Sequence, residues 1–226
     1  LYTLHTNLAL FSNFTYFLDD PVNGDQFSQF DKRYQSAMNL SHLWVNRIGG
    51  LEVENTAGIQ FQNDVIDNGL LSTKQRQTLS TTRKDHINQN SIGLYYQNSI
   101  QWLEKFRSVA GVRSDYYWFD VSSHQAVNSG KRYDSITNPK ISLIFGPWAQ
   151  TEFYFNYGGG FHSNDARGTT TTVDPKSGDP VNRVNPLVRS TGYEVGVRTA
   201  IVPGLQVSLA AFRLDMDSEL LFVGDA

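Results

Sequence analysis

His162, Asn164, Asp165 and Arg167 stand close together at the end of an apolar, alternating segment. An imidazole can bind a metal or donate a hydrogen bond, and a guanidinium forks onto carboxylates. Such a group suits contact with an anionic ligand or a metal chelate. The same residues also suit an architectural part, in which Asn164 and Asp165 cap a turn and Gly168 supplies positive φ. A second set is Asp215, Asp217 and Glu219, a period-two row of carboxylates. Three like charges on one inner, lumenal face need solvent or partners, and Arg198 and Arg213 are the candidates. A salt-bridged wet wall competes there with a cation site.

Other chemistry is weaker. His86, in the run Arg83-Lys84-Asp85-His86, reads as a polar loop residue. The acidic stretch at 64–67 lacks the ligand spacing, central Gly and terminal Glu of a calcium loop. Gly158-Gly159-Gly160 follows a strand pattern, but no helical pattern succeeds it, which argues against a phosphate cradle. Small residues in a strand more often mark a bulge or a close neighbour. No Ser-His-Asp arrangement or nucleophile elbow stands out. The reading is therefore not an enzyme, with no catalytic residue, no resident metal and no cofactor.

About nine strands position these residues: 1–18, 34–48, 51–64, 91–102, 106–121, 138–145, 150–161, 190–201 and 205–219. The third alternates most clearly. Leu51, Val53, Ala57, Ile59 and Phe61 lie on one face, and Glu52, Glu54, Thr56, Gln60 and Gln62 on the other. A period of two with one polar face is a strand wet on one side. Tight joints at Gly49-Gly50, at 103–105, at 146–148 and at 202–204 alternate with long polar connections at 19–33, 65–90, 122–137 and 163–189. Short turns at one end and long loops at the other are the topology of an antiparallel transmembrane β-barrel, with periplasmic turns short and extracellular loops long. Odd-numbered strands then run outward, and the group at 162–167 falls at the extracellular rim. Trp44, Trp102, Trp148 and the run Tyr117-Trp118-Phe119 lie near strand ends, where rings favour the headgroup level.

Composition agrees. Aromatics reach 13% while mean hydropathy is only -0.39, as suits a half-polar wall with interfacial girdles. No apolar run is long enough for a membrane helix, so any crossing is by strands. A net charge of -3 offers no broad basic field for nucleic acid. The absence of Cys excludes disulfides and thiolate metal sites.

Several stretches resemble the barrel of a TonB-dependent outer-membrane receptor. They are Asn138-Pro139-Lys140-Ile141-Ser142-Leu143, residues 151–158, the stretch Gly160-Phe161-His162-Ser163-Asn164-Asp165-Ala166-Arg167-Gly168, residues 186–189, Gly192-Tyr193-Glu194-Val195-Gly196-Val197-Arg198, and residues 214–220. The first half is similar mainly in pattern. The resemblance implies a barrel of about 22 strands around a plug. It implies energised uptake of a scarce small-molecule ligand, such as a ferric siderophore or other metal chelate. It also implies partnership with outer-membrane lipid and, through an N-terminal region not present here, with the TonB complex. Plug, TonB box and a terminal strand ending in an aromatic are not found, so the chain is expected to be part of a longer protein. In that setting His162, Asn164, Asp165 and Arg167 are the expected ligand contacts, and no nucleic acid is involved. A passive porin and, further off, a soluble carbohydrate-binding β-domain are the alternatives.

Overall fold

The computed structural model describes residues 1–218. Nine strands form one open antiparallel sheet in chain order. They are β1 (Tyr2–Ser12), β2 (Phe27–Ile48), β3 (Leu51–Lys74), β4 (Gln77–Leu103), β5 (Phe106–Ser123), β6 (Gly130–Trp148), β7 (Thr151–Ser163), β8 (Leu187–Thr199) and β9 (Val207–Met216). One short helix, α1 (Ala166–Thr170), lies between β7 and β8. All-β architecture, strand number and strand direction agree with the sequence.

The cross-strand register sorts the central strands into two faces. Ile59 opposes Leu94, Ile92 opposes Tyr116, Val109 opposes Ser142 and Ala110 opposes Ile141. Leu143 opposes Phe155, which opposes Val195. Leu94 and Val195 remain 57% and 59% exposed, so the largest apolar surface is on the outside. A contiguous apolar face of this extent is a membrane surface rather than a water surface. Along β5, Phe106 and Trp118 are separated by about 40 Å of strand, which at a tilt of about 40–45° spans about 30 Å, the bilayer core. Phe106 stacks on Phe145 and Trp148 tilts over Phe153 at one level. Tyr116 meets Trp118 and Tyr133 at the other. These are the two girdles.

Gln60, Tyr95, Arg113 and Lys140 share the inner face, and among the described residues the one packed apolar cluster is also on it. Ile66, Ile87, Phe119, Val121 and Ala166 are all buried, with Tyr117 against them. This core sits at the long-loop end.

Four expectations change. The stretch 65–90 is not a loop, because β3 and β4 continue as a hairpin to the two-residue turn Gln75-Arg76, both with positive φ. With lengths of 24 and 27 residues they far exceed the ~9–11 needed to cross a bilayer core. Above the membrane a strand needs no apolar outer face, and Ile66 and Ile87 pair to anchor this extension. His86 is thus a strand residue, 2.7 Å from Asp67 Oδ1. Next, β2 and β6 likewise begin earlier than expected, at Phe27 and Gly130. β1, by contrast, ends at Ser12, because the Asp25 carboxylate collects the N–H groups of Leu18, Asp19 and Asp20 into a compact turn. Finally, Asp215 opposes Thr191 and Arg213 opposes Tyr193, so Asp215, the member of the carboxylate row that lies in β9, is not on the inner face. The lower half of β9 sets that register, with Leu209 opposite Val197. Apolar parity then switches along the strand between Ala211 and Phe212. Asp215 is paired with Arg213 at 2.9 Å, Arg198 is paired with Glu152, and Glu219 lies outside the described residues.

Candidate functional site

The β7–β8 connection folds inward over the mouth of the sheet. Its base is closed by Asn164, whose N–H donates to Pro186 O at 2.9 Å and whose Nδ2 donates to Asn185 O at 2.7 Å. Asp165 caps α1 by accepting from Arg167 N at 2.9 Å, and both its oxygens accept from Arg167 Nε. Arg167 Nη2 also donates to Asp165 Oδ2. The expected positive φ at Gly168 does not occur, since Gly168 lies inside α1 and is helical.

Burial pushes the Asp165 carboxyl up, but the hydrogen bonds and charge of Arg167 outweigh that and hold it below the usual carboxylate range. The same bonds, aided by Asp85 and Asp31, raise the Arg167 guanidinium against its own desolvation. Arg83 Nε donates to Asp85 Oδ2 at 3.0 Å, and Arg33 lies 3.5 Å from Asp31. The mouth therefore carries an alternating set of acidic and basic groups, strongly paired.

His162 is placed differently from its three companions. It opposes Val188 on the β7–β8 ladder and is half-buried. Its ring takes no side-chain hydrogen bond among the described residues. Of the four expected contacts, three are joined in fixing the loop and His162 is the free donor beside them.

Sequence reasoning missed the residues that tie this loop to the wall. Asn128 is 2% exposed. Its Oδ1 accepts from Thr172 N at 2.9 Å and Val173 N at 3.1 Å, and its Nδ2 donates to Val173 O at 2.8 Å. Arg132 Nε donates to Thr169 O at 3.0 Å, and Arg183 Nε to Thr170 O at 3.3 Å. An Asn in a polar, non-periodic stretch gives no signal of this in sequence.

Below the loop the inner wall is polar and concave. One hollow of about 450 Å³ is lined by Gln60, Tyr95, Arg113, Asn138, Lys140 and Phe161, among others. Arg113 bonds both oxygens of Asp115, and its Nη1 donates to Gln60 Oε1 at 2.6 Å. The Gly run has its use here. A Cβ on Gly159 would come within 2.9 Å of Asn138 Oδ1, so glycine lets that carboxamide sit against the strand. The β6–β7 ladder ends at Lys140–Gly158, and above it Phe161 turns edge-on to the inner-face Tyr117, 5.8 Å between centroids. Among the described residues no group of three His, Asp or Glu side chains converges to hold a metal ion. Arg113 is paired with Asp115, and Lys140 stands beside it on the same wall.

Comparison with known proteins agrees with this arrangement. The family model described as TonB dependent receptor-like, beta-barrel, matches residues 2–226. The metal-pseudopaline receptor CntO of Pseudomonas aeruginosa strain PAO1 is 26% identical over 138 residues, which is 58% of this chain and 18% of that protein. The chain thus spans about a fifth of the curated relatives it matches. Among solved structures, the unliganded ferric citrate transporter FecA aligns with a TM-score of 0.68 at 12% identity, over 84% of this chain and 28% of that one. The copper transporter OprC aligns with a TM-score of 0.66 at 12% identity, over 93% and 33%. The alcaligin receptor FauA of Bordetella pertussis aligns with a TM-score of 0.62 at 17% identity, over 95% and 36%. At such identities these structures establish the fold, and the family match carries the assignment. With its lipid-type outer face, polar inner wall and inward-folded mouth loop, this chain belongs to the TonB-dependent receptors, as part of their outer-membrane β-barrel.

Proposed function

We propose that the protein containing this chain imports a metal chelate of the siderophore type across the outer membrane, with energy supplied through the TonB complex. The observation that carries the reading is the polar inner wall at the foot of an inward-folded, charge-lined mouth. Lys140 and Asn138 there suit the oxygens of an anionic chelate rather than a bare cation, with Arg113 held beside them by Asp115. That CntO is named for a metal-pseudopaline complex supports a chelate as the cargo class. At the rim, His162 is the contact we favour. Arg167 reaches ligand through Nη1, the nitrogen outside its pair, while Asn164 and Asp165 present both.

The test is uptake by cells expressing the full-length parent, using radio-iron complexes of citrate, a hydroxamate and a catecholate, with and without the proton gradient and TonB. Energy-dependent uptake of one class is expected. Gradient-independent passage of all three would make the protein a passive pore.

A further inference from the structure

A connection as long as residues 164–186 would ordinarily stand in water and move. This one is built as a wall component. Thr169, Thr170 and Ala166 are 0%, 2% and 3% exposed. Ala166 belongs to the inner apolar cluster with Ile66, Ile87, Phe119 and Val121. The return segment is stitched back on it, since Val184 N donates to Gly168 O at 3.0 Å. The β5–β6 connection holds it from the other side through three Asn128 bonds and through Thr172 Oγ1, which donates to Val127 O at 3.3 Å. Only the tip differs. Asp174 Oδ1 accepts from Lys176 N and Ser177 N to form a turn, Gly178 takes positive φ, and one side-chain bond, Gln125 Nε2 to Pro175 O at 3.3 Å, reaches it from the β5–β6 connection.

We infer that residues 164–173 are a fixed shelf, not a moving lid, and that the shelf sets the aperture of the mouth throughout transport, with Asn128 as its positioning residue. Lifting the shelf would strip apolar side chains of their packing. It would also leave the buried Asn128 Oδ1 with no donor, and Nδ2 with only its bond to Gln125 Oε1 at 3.1 Å, a state that native structures avoid. Cargo therefore passes beside the shelf, and its size limit is set there. The inference rests on the import reading above for its transport consequence, and on packing alone for its structural one.

Both parts can be tested in the full-length receptor, where these 226 residues contribute no native cysteine. First, Val127→Cys and Thr172→Cys are joined by a short thiol cross-linker. Uptake of radio-iron citrate within twofold of the uncross-linked double variant is expected, and a tenfold loss would make the segment a lid. Second, Asn128→Ala should raise uptake of a bulky ferric catecholate relative to ferric citrate by at least threefold, with Asn128→Asp between it and wild type. An unchanged ratio would overturn the role of Asn128. Third, in the purified receptor Thr169→Cys should react with an impermeant maleimide at least tenfold more slowly than Ser177→Cys. Equal rates would remove the shelf even if the receptor carried no iron, while absent uptake in the uncross-linked protein would count against the import reading alone.

Discussion

The two ends of this sheet are built by opposite means. At the periplasmic end, β2–β3, β4–β5 and β6–β7 are joined by two-residue turns at 49–50, 104–105 and 149–150. At the extracellular end, β3 and β4 overrun the membrane, α1 folds inward, and the apolar cluster forms on the inner face. The difference follows from solvent. In the bilayer span, lipid covers the outer face and backbone groups are satisfied by the ladder, so a two-residue turn completes the element. Beyond the bilayer, water replaces lipid, and the strands must find burial within the protein. They find it on the inner face.

Phe119→Ala should produce the largest effect at the outer end. It is 1% exposed at the centre of the inner cluster, and truncating a buried Phe costs about 3–5 kcal/mol. Hydrogen exchange should show lost protection across 164–173 with the membrane span unchanged. Leu94→Arg makes the converse cut. Placed on the outer face near mid-height, it should destabilise folding into lipid by about 2–4 kcal/mol while leaving the mouth loop protected. Equal loss of loop protection in both variants would abolish the distinction between the ends.

Asp165→Asn should loosen the loop by about 1–3 kcal/mol, because it leaves a partly buried Arg167 short of its partner. The pH dependence has a definite sign. The folded-state carboxyl lies below its ordinary value, so the stabilisation is complete above the unfolded pKa of about 3.9 and is lost as pH falls through the lower folded value. Protease cleavage within 164–186 should therefore rise in acid below about pH 4 in wild type, and be already high and less pH-dependent in Asp165→Asn. At the opposite end, Gly50→Ala forces a side chain into φ +85° and should cost about 1 kcal/mol, with uptake unchanged. His162→Ala should weaken chelate binding by about 1 kcal/mol, roughly fivefold, with the loop intact by the same protease assay.

Sequence made the membrane span legible and the mouth much less so. Alternation in Leu51, Val53, Ala57, Ile59 and Phe61 against Glu52, Gln60 and Gln62 exists because lipid faces one side and a wet interior the other. Once β3 passes Asp64 that constraint ends, and Asp67-Asn68-Gly69 looks like loop although it is ladder. The last strand is hard to read for a separate reason. β9 carries apolar residues of both parities, Leu209 on one and Phe212 and Leu214 on the other, and its upper half does not reveal the register that its lower half sets. At the candidate site, the Asp165–Arg167 pair was legible as a local cluster because its members are two residues apart. Asn128 was not, because its partners at 172 and 173 are remote in sequence and no periodicity links them.

The most direct test of this account is impermeant maleimide labelling of single cysteines in intact cells expressing the full-length receptor. Ser177→Cys, at the exposed tip beyond β7, should label at once. Glu104→Cys, in the β4–β5 turn, should label only after the outer membrane is permeabilised. Labelling of Glu104→Cys in intact cells, at the rate of Ser177→Cys, would contradict the orientation on which the mouth, its loop and the proposed path of the chelate all depend.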